Sequence, residues 1–336
     1  MQIRENFSLL KYNTFGIDVR ADFFVEYHSI EELCAFLKDK NFIQNRQIIP
    51  LGKGANLLFL SDFKGIILYS QIFGKEIIRE TETEIFLRVG AGETWDNIVD
   101  FAVKNGWGGA ENLSHIPSSA GASVVQNIGA YGAEMQDLIC EVEAVEIKTG
   151  NIRKLAKEEC KFAYRSSIFK TDYAGKYIIT QITYILQKKP VFSICYGNLE
   201  SELKEKEISL QSIRKAIIHI RDEKLPDPEK LGNAGSFFTN PVVSQMQYQQ
   251  LKEKFSELPC YPLSKNEVKI PAAWLIERCG WKGFSDGKAG VHDKQALVLV
   301  NRGGASGKDI AELSDKIRQS VKEKFGIELT PEVIFV

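Results

Sequence analysis

The segment from Gly106 to Gly132 constrains this chain most, because it is long and follows neither periodicity of regular secondary structure. Its sequence is GWGGAENLSHIPSSAGASVVQNIGAYG, dominated by small residues and asparagine, with a single acidic residue, Glu111. A patternless stretch of this length inside a compact domain is unusual unless it serves a function. Small residues let the backbone approach a ligand closely, and successive turn N–H groups bind phosphate oxygens. The segment predicts a backbone cradle for a phosphate-bearing ligand; the alternative, a flexible surface loop, would carry more charge.

The charges of the chain nearly balance, with 43 Lys+Arg against 44 Asp+Glu in 336 residues and a net charge of −1. This balance gives no electrostatic indication of binding to nucleic acids or anionic membranes. At about 100 to 200 residues per domain, the length predicts two or three domains. The first ten residues, MQIRENFSLL, are charged where a signal peptide is apolar, and no apolar stretch of about 18 residues follows. We therefore expect a cytoplasmic protein that does not span a membrane.

The cysteines and histidines show no metal-binding pattern. The six cysteines, at positions 34, 140, 160, 195, 260 and 279, form no C-x-x-C pair and have no histidine at ligand spacing. We expect reduced thiols, most of them in the core. The four histidines, at positions 28, 115, 219 and 292, are expected to be core or surface residues, and no metal is predicted.

Periodicity indicates helices and strands in a mixed order, typical of an α+β fold. Capping patterns predict a first helix over residues 30–39 and a last helix over 308–325 that ends at Gly326. Strands are predicted at 47–51, 84–89 and 177–186, a hairpin at 141–155, and a linker at Pro226–Pro228. The turn Gly52–Asn56 leads into another apolar run without a third glycine, which excludes a dinucleotide fingerprint of the Rossmann type.

Three polar residues occupy settings that local structure does not explain. Arg165 lies among apolar and aromatic residues, Ser236 lies between a small-residue turn and two phenylalanines, and Glu332 begins an apolar strand. Each has a structural alternative: an ion pair for the arginine, a turn hydroxyl for the serine and a strand edge for the glutamate. No G-x-S-x-G elbow surrounds Ser236, so a hydrolase nucleophile is not indicated.

Taken together, motifs along nearly the whole chain resemble the UDP-N-acetylenolpyruvoylglucosamine reductase family. They are Tyr12–Gly16, Pro50–Leu57, Ile116-Pro117, Gln126–Gly132, Tyr164-Arg165, Lys224–Pro228, Asn233–Phe238 and Pro331–Val333. The resemblance implies a bacterial, cytoplasmic flavoenzyme of peptidoglycan synthesis that uses noncovalent FAD and NADPH. It would reduce UDP-N-acetylglucosamine enolpyruvate to UDP-N-acetylmuramate.

The resemblance also implies the domain organisation. A two-lobed α+β FAD-binding domain of the vanillyl-alcohol-oxidase (PCMH) type would comprise lobes 1–70 and 71–222, the second with a tyrosine-bearing substrate loop near residue 196. An α+β substrate-binding domain would span 223–336, with its C-terminal strand returning Glu332 to the active site. The protein is expected to be a monomer.

The resemblance assigns roles to individual residues. Arg165, Ser236 and Glu332 would be catalytic: the arginine and the glutamate would stabilise the enolic charge that follows hydride addition at C3, and the serine would deliver a proton to C2. The FAD-binding residues would be Gly52, Lys53, Gly54, Ala55, Asn56, Leu57, Pro117, Ser118, Ser119, Gly121, Ala122, Asn127, Gly129, Ala130 and Gly132. The substrate diphosphate would contact Tyr196, Lys224, Asn240 and Gln295.

Two departures from the family pattern bear on local contacts. Ser118-Ser119 replaces a glycine-led turn in the FAD segment, and Ser166 replaces the usual aspartate after Arg165. Two rival functions stay open on sequence grounds. One is a flavin oxidase on the same fold, which would not explain the Ser236 and Glu332 motifs; the other is a nucleotide-sugar-binding protein without catalysis, which the three catalytic residue types disfavour.

Overall fold

The computed structural model describes residues 1–336, which form nineteen strands and nine α-helices. The strands are β1 (Gln2–Ser8), β2 (Arg20–Tyr27), β3 (Gln47–Leu51), β4 (Leu57–Leu58), β5 (Phe63–Ser70), β6 (Lys75–Glu80), β7 (Glu84–Gly90), β8 (Gly129–Ala130), β9 (Ala133–Glu134), β10 (Ile139–Glu146), β11 (Ile152–Ala156), β12 (Tyr177–Gln187), β13 (Gly232–Ser236), β14 (Val242–Ser244), β15 (Tyr261–Pro262), β16 (Glu267–Lys269), β17 (Ala289–Val291), β18 (Val298–Asn301) and β19 (Ile334–Phe335). The helices are α1 (Ile30–Lys38), α2 (Lys40–Ile43), α3 (Trp95–Lys104), α4 (Ala120–Val125), α5 (Leu199–Glu202), α6 (Leu210–Lys224), α7 (Gln245–Lys254), α8 (Ala272–Arg278) and α9 (Gly307–Phe325). Short 3-10 turns occupy Leu10–Tyr12, Glu111–Leu113, Met135–Asp137 and Lys157–Cys160.

The chain divides into two units, each assembled from separated segments. The first unit contains Met1–Phe7, Arg20–Gly54 and Phe63–Glu223, and the second contains Ser8–Val19, Ala55–Asp62 and Lys224–Val336. No helix in either unit combines the length and the apolar character needed to cross a bilayer.

Two sheets organise the first unit. In the sheet ordered β1-β2-β5-β3, the strands β2 and β3 both run parallel to β5. The interior of β5 is apolar, and Ile66, Ile67 and Leu68 have no exposed surface, as expected for a central parallel strand. The sheet ordered β11-β10-β12-β7-β6 is antiparallel throughout and packs against α3 and α4.

Three small sheets and three helices form the second unit. The sheets are ordered β13-β18-β17, β14-β16-β15 and β19-β4, the last pair being parallel. The helix α9 buries Ile310, Leu313, Ile317, Val321 and Phe325, the stripe predicted from sequence. Its predicted capping box forms between Ser306 and Asp309, and Gly326 ends it at φ +66°.

Two expectations need correction. The segment 106–132 contains the short helix α4, which its composition did not predict, because an AGASVV run carries no amphipathic pattern. Among the cysteines only Cys160 is fully buried, so the expectation that most lie in the core is wrong. All six thiols are free.

Candidate active site

A small pocket opens in the first unit where β3 ends. It is lined by Leu51, Gly52, Lys53, Tyr69, Ser70, Ala91, Gly92 and Ser119. At Gly52 the turn lies so close to α4 that a Cβ atom would stand 2.7 Å from Ser119 Oγ and 2.8 Å from Ala122 Cβ. The absence of a side chain therefore lets the turn and α4 approach each other, and both contribute backbone to one pocket wall.

The helix α4 is fixed against the strand end that forms the opposite part of this pocket. The Gly121 N–H donates to Ala91 O over 3.0 Å, and a Cβ on Gly121 would lie 3.0 Å from Ala91 Cβ. Ser119 accepts the Ala122 N–H as the N-cap of α4, and Ser118 O accepts the Trp95 N–H over 2.9 Å. The serines that depart from the family pattern thus have defined structural roles in the cradle.

These features meet the requirement for a bound dinucleotide such as FAD. A phosphate-binding turn needs a main chain that a ligand can approach, and here Gly52 and Lys53 line the pocket while Gly54 takes φ +64°. The residues present fit the cofactor that the resemblance implies.

Asn127, predicted to bind FAD, uses its side chain to hold the cradle segment together. It is fully buried at φ +45°, and its Nδ2 donates to Glu134 Oε2 over 2.9 Å and to Ala163 O over 3.0 Å. Its Oδ1 accepts the Gln136 N–H over 2.9 Å. Since both amide hydrogens and the carbonyl oxygen are bonded to protein, this side chain stabilises the conformation of the cradle segment.

Arg165 is positioned by the hairpin β8–β9. Its Nη2 donates to Gly129 O over 2.6 Å, and a Cβ on Gly129 would lie 2.7 Å from Arg165 Nη1. Arg165 itself adopts φ +54° in the tight turn bridged by Ala163 and Ser166, a conformation unfavourable for a side chain of this size. A glycine carbonyl therefore helps to orient the guanidinium even though Ser166 replaces the aspartate expected there.

Ser236 and Glu332 lie on neighbouring chain segments of the second unit. The Glu332 N–H donates to Phe237 O over 2.8 Å, and Phe238 bridges to Pro331. Phe237 and Phe238 are buried, whereas Ser236 is exposed at the end of β13. The buried pair anchors the strand, so the hydroxyl and the carboxylate are carried on two hydrogen-bonded segments.

Asn56 and Leu57, predicted to bind FAD, hold the segment that carries Glu332. Asn56 Nδ2 donates to Glu332 O over 3.1 Å, and the Ile334 N–H donates to Asn56 O over 3.0 Å. Leu57 pairs with Ile334 in the parallel ladder of β4 and β19. The residues directly after the glycine turn therefore hold the strand segment that carries Glu332, a predicted catalytic residue.

The predicted diphosphate-binding residues differ in setting. Tyr196 is 44% exposed in the first unit, and Lys224 is exposed at the end of α6. In the second unit, Asn240 Oδ1 accepts the Ala272 N–H over 2.9 Å at the start of α8. Gln295 precedes β18, where its main-chain oxygen accepts the Val298 N–H over 3.1 Å.

Sequence reasoning missed Arg221. Its Nε donates to His115 O over 3.0 Å, and no carboxylate lies within ion-pair distance of its guanidinium. Burial lowers the pKa of Arg221, and the nearby charge of Arg165 lowers it further, while Tyr131 and two aspartates oppose the shift. A signal was present, because Arg221 follows Ile217 by four residues and so interrupts the apolar stripe of α6.

Comparison with known proteins decides the family. Residues 21–156 match the sequence profile of the FAD binding domain, and residues 227–336 match that of the UDP-N-acetylenolpyruvoylglucosamine reductase C-terminal domain. The reductase of that name from Bacteroides fragilis is 47% identical over 335 residues, 99% of this chain and 100% of the relative. The chain belongs to the UDP-N-acetylenolpyruvoylglucosamine reductase family.

Further similarities agree with this membership. The UDP-N-acetylenolpyruvoylglucosamine reductase from Porphyromonas gingivalis is 46% identical over 338 residues, covering 100% of both chains. The crystal structure of the Thermus caldophilus UDP-N-acetylenolpyruvylglucosamine reductase superposes with a TM-score of 0.69 at 23% identity, covering 99% of this chain and 98% of that one. The α+β fold with an FAD-binding domain, the family and FAD as cofactor are thereby confirmed. This reductase-family protein is an FAD-dependent oxidoreductase.

Proposed function

We propose that this chain reduces UDP-N-acetylglucosamine enolpyruvate to UDP-N-acetylmuramate with NADPH as hydride donor, as a cytoplasmic monomer that binds FAD noncovalently. The observation that carries the proposal is the hydrogen bond from the Glu332 N–H to Phe237 O, because it fixes the segment of a carboxylate beside the segment of Ser236. FAD, when bound and reduced by NADPH, would supply the hydride that adds to C3 of the enolpyruvyl group.

Arg165 and Glu332 stabilise the charge that develops on C2 and the substrate carboxylate. A guanidinium fork pairs with a carboxylate through two parallel hydrogen bonds, and a preorganised charge of this kind is often the largest catalytic contribution. The bond to Gly129 O restricts the Arg165 side chain before substrate binds. Glu332 contributes a hydrogen bond to the enolic oxygen.

Ser236 donates the proton that C2 requires. Its exposed hydroxyl stands at the end of β13, where the preceding Gly235 takes φ +66° and donates its N–H to Asn233 Oδ1 over 2.9 Å. The following Phe237 is buried, so the backbone is fixed on both sides of the serine. A hydroxyl is a weak acid, yet it protonates a strongly basic carbon when the geometry is held.

The nucleotide end of the substrate is assigned to four residues. Lys224 offers a point charge to the diphosphate, and Tyr196, Asn240 and Gln295 offer neutral hydrogen bonds. The FAD diphosphate is assigned to the turn at Gly52 and to the segment 117–132, where α4 and the hairpin β8–β9 form the cradle. This assignment rests on the pocket geometry together with the family resemblance.

Stopped-flow absorbance of the two half-reactions tests the proposal. Ser236→Ala is expected to leave flavin reduction by NADPH nearly unchanged and to slow reoxidation by the enolpyruvyl sugar about 10²-fold or more, because only reoxidation needs a proton at C2. Ser264→Ala, at an exposed serine of the same unit, is the control and should change neither. Equal slowing of both halves would show that Ser236 shapes the flavin site.

The same instrument separates the rival functions. NADPH consumption that depends on the enolpyruvyl sugar supports the reductase. Oxygen-dependent peroxide formation without that dependence would identify an oxidase, and binding without turnover would identify a protein that has lost catalysis. Light scattering that gives one chain per particle would support the monomer.

A further inference from the structure

The side-chain amide of Asn112 joins two segments of the first unit. It lies in the 3-10 turn Glu111–Leu113 and is only 3% exposed. Its Nδ2 donates to Tyr131 O over 2.8 Å and to Ser193 O over 2.8 Å. Both amide hydrogens are therefore committed to main-chain oxygens of two separate segments further along the chain.

The first of these oxygens belongs to the hairpin that supports Arg165. Tyr131 stands in the turn between β8 and β9 at φ +48°, and Gly129 of the same hairpin accepts the Arg165 guanidinium. Asn112 thus fixes the hairpin at its turn, while Arg165 contacts it at its first strand.

The second oxygen belongs to the substrate loop, which we define as residues 188–198. It contains no helix or strand, and its Phe192 and Ile194 side chains pack against the apolar cluster of α5 and α6. The loop lies on the hairpin at Gly132, where a Cβ would stand 3.6 Å from Tyr196 Cβ and 3.8 Å from Ser193 Oγ. Asn112 is hydrogen-bonded to this loop through the Ser193 carbonyl.

The Asn112 side chain also carries a cost. Its Oδ1 is buried and has no hydrogen-bond partner, and a buried acceptor left unpaired costs about 1–3 kcal/mol. Leucine would avoid this cost but would leave the Tyr131 and Ser193 carbonyls without the Asn112 donor. The choice of asparagine is explained by the two bonds it makes, since only a side chain with two hydrogens on one nitrogen satisfies both oxygens at this position.

We infer that Asn112 is a positioning residue for substrate binding, which holds the substrate loop and its Tyr196 against the hairpin that orients Arg165. The inference rests on the proposed function in taking Tyr196 as a ligand of the substrate diphosphate. Asn112 itself touches neither the substrate nor the reacting atoms; it acts through the loop.

The test compares Asn112→Ala with Ser114→Ala in the FAD-loaded protein. Ser114 is fully buried two residues after Asn112, and its Oγ donates to Glu111 O over 2.6 Å, within the same turn. Hydrogen exchange of the peptide 188–198 and the KM and kcat for the enolpyruvyl sugar are measured. For Asn112→Ala we expect exchange in this peptide and KM each to rise about tenfold, the scale of a lost buried hydrogen bond, with kcat and FAD content nearly unchanged.

Two further variants complete the test. Combining Asn112→Ala with Tyr196→Phe should raise KM little beyond the larger single effect, because both changes act through the same contact. Asn112→Ser, which keeps one donor on a smaller side chain, should give intermediate exchange, and it replaces the alanine variant if that variant does not fold.

The outcomes are distinguishable. Unchanged loop exchange and KM in a folded Asn112→Ala protein would overturn the inference, as would an equal rise in Ser114→Ala. If Tyr196→Phe leaves KM unchanged while Asn112→Ala frees the loop, the proposed role of Tyr196 fails and the anchoring by Asn112 is upheld.

Discussion

Replacing Gly52 with alanine tests whether the close approach of the β3 turn to α4 forms part of the FAD site. The added Cβ would lie 2.8 Å from Ala122 Cβ, whereas carbon atoms pack at about 3.5–4.0 Å. The two walls must therefore separate by roughly 0.7 to 1.2 Å. Ser119 Oγ, 2.7 Å from the same Cβ, cannot easily rotate away because it caps α4.

Overpacking of this kind costs about 1–3 kcal/mol. If the cost falls on the bound state, FAD affinity should weaken by about 5- to 150-fold, since 1.4 kcal/mol is tenfold in Kd. Titration of apoprotein with FAD, followed by flavin fluorescence, measures this directly. Thermal melting of the apoprotein, run in parallel, reports any loss of stability that is independent of FAD.

Gly65→Ala is the matched control. Gly65 lies on β5 and pairs with Gln47 at the start of β3, whereas Gly52 follows the end of β3. A Cβ on Gly65 would lie 2.4 Å from Gln47 O, a clash at least as severe as that at Gly52. It should lower the melting temperature without changing the Kd for FAD of the folded protein. A Gly52→Ala protein that binds FAD within about twofold of the original would refute the assignment of this pocket wall to the cofactor, since 0.4 kcal/mol would be all that the approach contributes.

Two other changes have defined outcomes. Glu332→Gln should slow reoxidation by the enolpyruvyl sugar about 10²-fold or more. FAD content and melting temperature should stay unchanged, because Phe237 and Asn56 bond the main chain of Glu332 and not its side chain. A lower melting temperature with normal turnover per flavin would show instead that the residue is structural. Burial raises the pKa of Glu111, so the native state holds its proton more tightly than the unfolded state, and stability is lost as pH rises from the ordinary value of 4.5 through the raised pKa. Glu111→Gln should therefore raise the melting temperature at pH 7 but not at pH 4, in buffers of equal ionic strength, and an equal gain at both pH values would contradict this.

Local sequence patterns predicted those parts of the fold that depend on neighbouring residues. The helix stripe and both caps of α9 follow from side chains a few residues apart, and so does the strand β3 that ends at Leu51. The helix α4 was not predicted, because its residues are small and show no apolar periodicity. Its position depends on close packing against Ala91, which a local sequence pattern does not reveal.

The sequence indicated which residues belong to the candidate site but not the contacts that those residues make. Asn56 lies within a glycine turn and was assigned to FAD, but its amide bonds a residue 276 positions further along the chain. Asn112 and Asn127 likewise owe their roles to carbonyls on distant segments. A hydrogen bond between distant residues leaves no trace in one sequence, whereas an arginine that falls on the apolar stripe of a helix, as Arg221 does in α6, is detectable.

The second unit also has a consequence for the order in which the chain can fold during synthesis. Its early segments, Ser8–Val19 and Ala55–Asp62, form hydrogen bonds with residues near the end of the chain. The Asn233 N–H donates to Thr14 O, and the Leu60 N–H donates to Val336 O. A ribosome adds about 5–20 residues per second, so on the order of 10 to 60 s separates residue 62 from residue 336. Through that interval the segment containing Asn56 and Leu57 lacks the strand with which it pairs, so its apolar residues stay without that cover until the last strand emerges.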